Sequence, residues 1–506
     1  MSVAHRFRWH DHSPLPREAD IVIVGGGLAG LQLAKDLELA GHRDVVVLEA
    51  GPGDDVAHVN LVHPPDEALR LWLEAGADRH FWRPWISQST PHYDLTSGLR
   101  RRLGGRSLYW HGVILPIESW ALKAPWWPES VVRDLVESWG AGPSLYDRVR
   151  AEIAAWLSQK APSRRSSSPL VVGRLRLAPA PRAVYAEHGN RWAAYTAAEH
   201  WTDGANVDGG VRFVTAARAI ALRTEAGKCT AVRFTSGPGG DDREIACRIA
   251  VLAAGTIENT RLSIQALDAG GAPGVRRFPG LVDHIVQGFA AFFDPDVVPV
   301  YLRALASEDA LFHAPIAGAR SNLFVRIYLN AANAFVLDAW TMGEQLPSDA
   351  TSVTCRRQGE WPWPTFVKAG LSNEDREVVR GGQQALQDLW ADFSDLLGRS
   401  ATQLDLPDFE APRCMLEHVL PRLDSARSDQ PPLAWASPLG SEYHEGCTLP
   451  LGKVLGEDQQ FVDLSGLYAV GPSIFPRMGA ANPSLTSLAL SKRLAGLLSA
   501  QRGGRT

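Results

Sequence analysis

The chain carries no surplus of positive charge: 51 Lys and Arg stand against 56 Asp and Glu, a formal net charge of −5. That excludes the broad basic field by which proteins grip nucleic acid. Cysteine is scarce, five residues in 506, at Cys229, Cys247, Cys355, Cys414 and Cys447. No two have the C-x-x-C spacing of a zinc or redox motif, and an odd, scattered set is no disulfide framework. No metal site is expected. No stretch approaches the ~18 apolar residues of a membrane-spanning helix. The first 20 residues are rich in His and Arg and lack the apolar centre of a secretory signal. There is no repeat of solenoid type and no low-complexity block. These absences point to a soluble, cytoplasmic protein. What is present is a globular composition, 45% hydrophobic and 21% charged, in a chain long enough for two or three cores.

The strongest local pattern lies between Asp20 and Gly53. Ile21 to Val24 are four successive apolar residues, the mark of a parallel strand buried on both faces. Gly25, Gly26 and Gly27 follow. Leu28, Leu31, Ala34 and Leu37 then recur at helical spacing, and Gly41 stops the helix. Val45 to Leu48 make a second apolar strand, ending at Glu49 and Ala50. Within this βαβ unit Gly25-x-Gly27-x-x-Gly30 is a dinucleotide fingerprint. Gly25 permits the tight turn, Gly27 lets the backbone approach a pyrophosphate, and Gly30 lets helix and strand pack closely. The first helical residues, Leu28 and Ala29, bring free N–H groups and a positive dipole end to the phosphates. Glu49, 19 residues past Gly30, is positioned to accept from ribose hydroxyls. The motif by itself suits FAD or NAD; its place near the start of a large chain favours FAD.

Farther along, Val211 to Phe234 alternates as strands do, and 237–242 reads as the turn between two strands. Residues 163–168 read as an exposed loop. Ile249 to Ala254 is another buried strand, ended by Gly255, and a helix follows from Glu258 to about Ala269. Residues 285–370 read as mostly sheet. Ser372 with Asp375 predicts a capped helix whose apolar face is Leu386, Leu389, Trp390, Phe393, Leu396 and Leu397. A last helix is expected from about Leu485 to Leu498.

The C-terminal segment narrows the choice of cofactor. Leu467-Tyr468-Ala469-Val470-Gly471-Pro472-Ser473-Ile474-Phe475-Pro476 precedes Gly479-Ala480-Ala481-Asn482-Pro483-Ser484-Leu485-Thr486. This resembles the C-terminal signature of the glucose–methanol–choline (GMC) oxidoreductases. His444-Glu445-Gly446-Cys447-Thr448 is similar to that family's His-x-x-Gly-Thr stretch, with Cys447 inserted. Ala253 to Glu258 and Leu281-Val282-Asp283-His284 resemble its middle FAD segment, and Gly104-Gly105-Arg106-Ser107 its flavin-side loop. The matches run in order from Ile21 to Ala495 and are weakest across about 291–429. The sugar-oxidising, pyranose oxidase-like branch looks nearest. Tyr109 stands where that branch can carry a His joined to the flavin, so a non-covalent FAD is expected, with His111 as an outside candidate for attachment.

The resemblance implies a Rossmann-like FAD-binding domain, mixed α/β, with a second, sheet-based substrate domain. The boundaries expected are 15–118, 205–290 and 430–506 for the first, and 119–204 and 291–429 for the second. It adds Gly104, Gly105, Ser107, Trp110, Ala254, Gly255, Asp283, Gly471, Asn482, Pro483 and Leu485 to the FAD contacts. It also makes His444 the catalytic base and Asn482 its partner. The chemistry suits them. A neutral His accepts the hydroxyl proton near neutral pH, the carbon-bound hydride goes to flavin N5, and Asn482 steadies the substrate oxygen. The ordinary readings are a hydrogen-bonded loop His and a turn Asn that starts a helix.

The implied reaction is FAD-dependent oxidation of an alcohol on a sugar-like or polyhydroxylated small molecule, with oxygen or another electron acceptor as co-substrate. An amino sugar is suggested by acidic residues able to attract a cation: Glu442 and Glu445 flanking His444, and Asp338 and Glu344. Tyr109, His111 and Trp340 are further substrate-side candidates, and Trp361 and Trp363 are possible cavity residues. Three alternatives stay open: flavin-dependent oxidation of an amine or other C–H donor, a nicotinamide-dependent dehydrogenase, and a non-catalytic flavoprotein.

Overall fold

The computed structural model describes residues 15–160, 168–186, 191–202, 210–236, 240–269, 277–308, 310–357, 359, 361–428 and 430–503. The N-terminal residues 1–14, most of the loop expected at 163–168 and part of the turn at 237–242 lie outside the described residues.

The fingerprint unit forms as its pattern predicts. Strand β1 (Glu18–Val24) leads through the glycines into helix α1 (Leu28–Leu39), and β2 (Val45–Leu48) returns parallel to it, with Val24 beside Leu48. Gly41 has φ +87°, the left-handed backbone that ends α1. Strand β3 (Val211–Val214) joins the outer side of β2 in parallel. A meander follows, β4 (Ala217–Glu225), β5 (Lys228–Ser236) and β6 (Asp242–Leu252), which brings β6 back beside β1 in parallel, with Val24 paired to Leu252. Leu467–Ala469 lies parallel to the last residues of β6 and completes a seven-stranded sheet. Ile21, Val22, Ile23 and their neighbours in β2 and β6 are fully buried, because helices cover both faces.

Helix α2 (Thr256–Ala269) leaves β6 through Gly255, whose φ is +86°. The second sheet is antiparallel. Its centre is β7 (Ile285–Phe293), β8 (Ser321–Leu329) and β9 (Phe335–Gly343), with β10 (Leu433–Ser437) on the far side of β7. Every residue of β7 is buried, and the period of two explains how. Phe289, Ala291 and Phe293 pack with Leu337 and Ala339 against α3 (Asn373–Leu396), through Leu386, Leu389 and Phe393. Val286 on the opposite face joins Phe324, Met342 and Trp435. Helix α3 begins with the expected capping box: Ser372 Oγ accepts from the Asp375 N–H at 3.1 Å, and Asp375 Oδ2 accepts from the Ser372 N–H at 2.9 Å. One part of the expected apolar face is corrected: Leu396, at the frayed last turn, is exposed. The final helix α4 (Ser484–Gly503) runs a turn longer than its apolar pattern and packs beside α1.

Candidate active site

The carboxyl ends of β1, β2, β6 and Leu467–Ala469 open on a cavity of about 1560 Å³ that reaches the second sheet. A crevice at this end of a parallel sheet is where the fold class binds ligands. Gly25, Gly27, Leu28, Ala29, Glu49 and Ala50 line it. No side chain caps α1, so its first N–H groups and its positive end face the cavity. The three fingerprint glycines do different jobs. A Cβ on Gly25, where φ is +108°, would lie 2.4 Å from the Ala253 carbonyl oxygen. One on Gly30 would lie 2.0 Å from the Gly25 oxygen, so Gly30 serves helix–strand packing and does not line the cavity. One on Gly27 would meet no protein atom within 4 Å, so it borders open space. Glu49 accepts from the N–H groups of Gly26 at 3.0 Å and Gly51 at 2.8 Å, while burial pushes its carboxyl up to about 7.

Ser107, Trp110, Ala254, Gly255, Gly471, Asn482 and Pro483 also line the cavity. Gly104, Gly105, Asp283 and Leu485, expected as cofactor contacts, do not. Gly104 donates its N–H to Gly26 O at 2.7 Å, and a Cβ on Gly105 would come within 3.3 Å of Gly27 Cα. Both glycines therefore seat the 104–107 turn on the fingerprint loop. Leu485, in the first turn of α4, is fully buried in the core. Asp283 accepts three backbone N–H bonds, from Gly440 at 2.6 Å, His284 at 2.8 Å and His444 at 3.2 Å. Burial, with Glu445 and Glu442 nearby, raises its pKa. It ties the His444 loop to the start of β7.

His444 and Asn482, 38 residues apart in sequence, meet at the cavity wall. Asn482 Nδ2 lies 3.5 Å from His444 Nε2, and Asn482 Oδ1 is buried with no hydrogen-bond partner. His444 Nδ1 lies 2.9 Å from His284 Nδ1, and the His284 Nε2 lies 3.1 Å from the Gly479 carbonyl oxygen. Burial lowers both imidazoles, His284 to about 4 and His444 well below its ordinary value, with His284 and Arg106 adding to the effect on His444. Asp283, His284 and His444 cluster tightly enough to be considered as ligands to a cation. The contacts describe a hydrogen-bonded network instead: the Asp283 oxygens accept backbone N–H bonds and the two Nδ1 atoms face each other directly.

The acidic candidates divide. Glu442 and Asp338 line the cavity, and burial raises their pKa to about 7 and about 6. Glu445 also borders it, but Arg106 grips its carboxylate in a two-pronged ion pair, with Nη2 to Oε1 at 2.8 Å. Glu344 is fully buried and paired with Arg477, away from the lining. Of the two alternative pairs expected to attract a substrate cation, each is corrected at one member: Glu445 is held by Arg106, and Glu344 does not line the cavity. Trp340 lines the cavity and stacks on Phe324 at 5.5 Å. Tyr109 and His111 line it too; Tyr109 sits between the guanidinium groups of Arg100 and Arg102, and His111 between the rings of Trp72 and Trp192. Trp361 and Trp363 do not reach the cavity but pack in the main core.

Sequence reasoning missed Arg106, Asn259 and Arg218. Asn259 holds Ala254 N–H at 2.8 Å and Ser473 Oγ at 3.0 Å, joining the ends of two strands. Arg218 lines the cavity and lies over the Trp82 ring at 4.6 Å. Arg106 was visible as the variable residue of Gly-Gly-x-Ser. Arg218 and the Asn259 bond to Ser473 carry no local signal, since those partners come from distant segments.

The GMC oxidoreductase C-terminal family model matches residues 366–491. That span includes the His444 and Asn482 loops. Over this span the chain is similar to the GMC oxidoreductases. A GMC-type oxidoreductase of Mycobacterium tuberculosis is 27% identical over 295 residues, 56% of this chain and 44% of that protein. A chloroplastic fatty acid photodecarboxylase of Chlamydomonas reinhardtii is 32% identical over 143 residues, 25% of this chain and 21% of that one. The matched stretches thus span less than half the length of these curated relatives. Among solved structures, pyridoxine 4-oxidase from Mesorbium loti shares the fold at a TM-score of 0.58 and 20% identity, covering 95% of this chain and 99% of its own. A formate oxidase variant from Aspergillus oryzae does so at 0.62 and 15%, covering 97% and 100%.

FAD is the cofactor of the GMC oxidoreductases, and the residues of this chain fit that group. The uncapped start of α1 beside Gly27 leaves open space where a pyrophosphate needs N–H donors. At the other end, the unpartnered Asn482 Oδ1 is an orphan among buried polar atoms. No helix among the described residues is long and apolar enough to cross a membrane.

Proposed function

We propose that the protein oxidises an alcohol group of a small molecule, with His444 as base and Asn482 as its partner. The observation that carries this reading is the meeting of His444 Nε2 and Asn482 Nδ2 at 3.5 Å on the wall of the fingerprint cavity. A hydroxyl oxygen seated between them gives its proton to Nε2 and accepts from Nδ2 as it gains negative charge. FAD, when bound, supplies the acceptor for the carbon-bound hydride. Partial burial keeps His444 neutral and ready to take the proton. Gly27, Leu28, Ala29, Glu49 and Ala50 hold the adenosine and pyrophosphate half, and Ser107, Trp110, Gly255, Gly471 and Pro483 border the flavin half. FAD is held without a covalent bond.

The substrate is a polyhydroxylated molecule of the kind the sugar-oxidising branch takes. Glu442 and Asp338 favour one bearing an amine, and Trp340 offers a ring face for stacking. The substrate part of the chain takes in 119–204 and 291–429, together with Ile285–Phe293 and Leu433–Ser437, which are hydrogen-bonded into its sheet. The remainder of 15–118, 205–290 and 430–506 holds FAD, and oxygen or another acceptor reoxidises it. The five cysteines form no disulfide with one another, which suits a reducing compartment such as the cytoplasm.

The test is an anaerobic screen for bleaching of the bound flavin by sugars, amino sugars, cyclitols, simple alcohols, amines and formate. Bleaching by alcohols, lost in His444→Ala, is expected. Bleaching by amines alone would overturn the assignment. The likeness to a formate oxidase is the reason formate belongs in the panel. Glu442→Gln and Asp338→Asn are expected to raise KM for amino sugars more than for their hydroxyl analogues. Equal effects would remove the amine from the proposal.

A further inference from the structure

We propose that His284 is a positioning residue that fixes the tautomer of His444, leaving Nε2 of His444 with a lone pair and no proton. This rests on the reading of His444 as the base. The Gly479 carbonyl oxygen can only accept a hydrogen bond. It lies 3.1 Å from His284 Nε2, so the ring proton of His284 sits on Nε2. His284 is fully buried and neutral, so its Nδ1 has a lone pair. That atom lies 2.9 Å from His444 Nδ1, with the two rings perpendicular at 90°. Two lone pairs at that distance repel, so His444 must donate from Nδ1. A neutral imidazole carries one N–H, and Nε2 is therefore bare. Its neighbour on the cavity side, Asn482 Nδ2, is a donor and agrees with this assignment.

The first link is held rigidly. The peptide unit that ends in the Gly479 carbonyl has the Ala480 N–H on its other side, and that N–H donates to Glu118 Oε2 at 2.9 Å. Glu344, paired with Arg477, accepts the Gly479 N–H at 3.2 Å. Gly479 has φ +71°, and a Cβ there would lie 2.6 Å from Glu118 Oε2. The carbonyl thus points at His284 because its peptide plane is anchored on the opposite edge. A free imidazole exchanges between tautomers, one of which puts the proton on the atom that has to accept one. The relay from Gly479 through His284 removes that unproductive form.

The experiment is two-bond ¹H–¹⁵N correlation on FAD-loaded protein labelled with ¹⁵N-histidine, with the His444 signals identified by their loss in His444→Gln. We expect Nδ1 of His444 protonated and Nε2 bare. In His284→Phe, which cannot accept at Nδ1, the proton is expected to shift towards Nε2. A His444 protonated at Nε2 in the unaltered protein overturns the proposal, even where the Phe variant cannot be purified. So does a tautomer that is the same in His284→Phe. A merely structural His284 would not move this signal in a folded, FAD-loaded variant. The base assignment fails separately, when His444→Gln still lets the alcohols of the screen bleach its flavin at the parental rate.

Discussion

A buried imidazole is a different reagent from a free one. His444, half-buried, has lost part of the water that would stabilise its cation, and the Arg106 guanidinium adds unfavourable charge. The base works when unprotonated, so a lowered pKa extends its working range towards acid. The pH profile of kcat/KM should therefore lack an acid limb near 6.5 and fall only at lower pH. A limb at the usual imidazole value would show that this environment is not the operative one. His444→Gln should slow flavin reduction by ~10²–10⁴-fold, the range of a lost general base, while flavin absorbance of the purified protein stays normal. Arg106 acts one step away. Its guanidinium neutralises Glu445, which is 4% exposed, beside the base. Arg106→Met should cost about 3 kcal/mol in denaturant unfolding, because it strands a buried carboxylate, and Arg106→Lys less.

The strand–helix junction of β1 and α1 separates binding from folding. A Cβ on Gly30 would strike its own scaffold, and one on Gly27 would meet no protein atom. Gly27→Ala should leave the unfolding midpoint of FAD-free protein nearly unchanged and sharply weaken FAD affinity measured by flavin fluorescence. Gly30→Ala should lower the midpoint itself. Equal loss in both variants would mean that Gly27 has a packing role the structure does not contain. The capping box of α3 is a second test at this scale. Ser372→Ala removes the acceptor for the Asp375 N–H and should cost ~1 kcal/mol. These junctions were legible in sequence because turn and cap chemistry is local. The seating of Gly104 and Gly105 on the fingerprint loop, in place of direct cofactor contact, was not. It depends on two loops brought together by the sheet.

Across the whole molecule, buried carboxylates give stability a pH dependence of definite sign. Glu49 and Glu442 hold their protons up to about 7, against an ordinary 4.5. Between those values the fold binds more protons than the unfolded chain, so their contribution to stability falls as the pH rises. Buried His58 and His284, lowered to about 4 from 6.5, act in the opposite sense between those two values. Above about 6.5 the histidines of the unfolded chain lose their remaining protons, so the opposing effect fades and the acids set the sign. FAD-free protein should lose stability between pH 6.5 and 8 in denaturant titrations; a rise over that range would contradict the burial of these two acids. The sequence by itself determined the βαβ fingerprint, the sheet-rich middle and the two C-terminal motifs, because strand runs, glycine turns and motif spacing are short-range properties. Only the tertiary structure decided that β7, β8, β9 and β10 all line the cavity, that Glu445 and Glu344 are already paired, and that His284 stands behind His444. Those facts join segments separated by up to hundreds of residues, and hydrogen-bond partners at such range leave no periodic trace in a single chain.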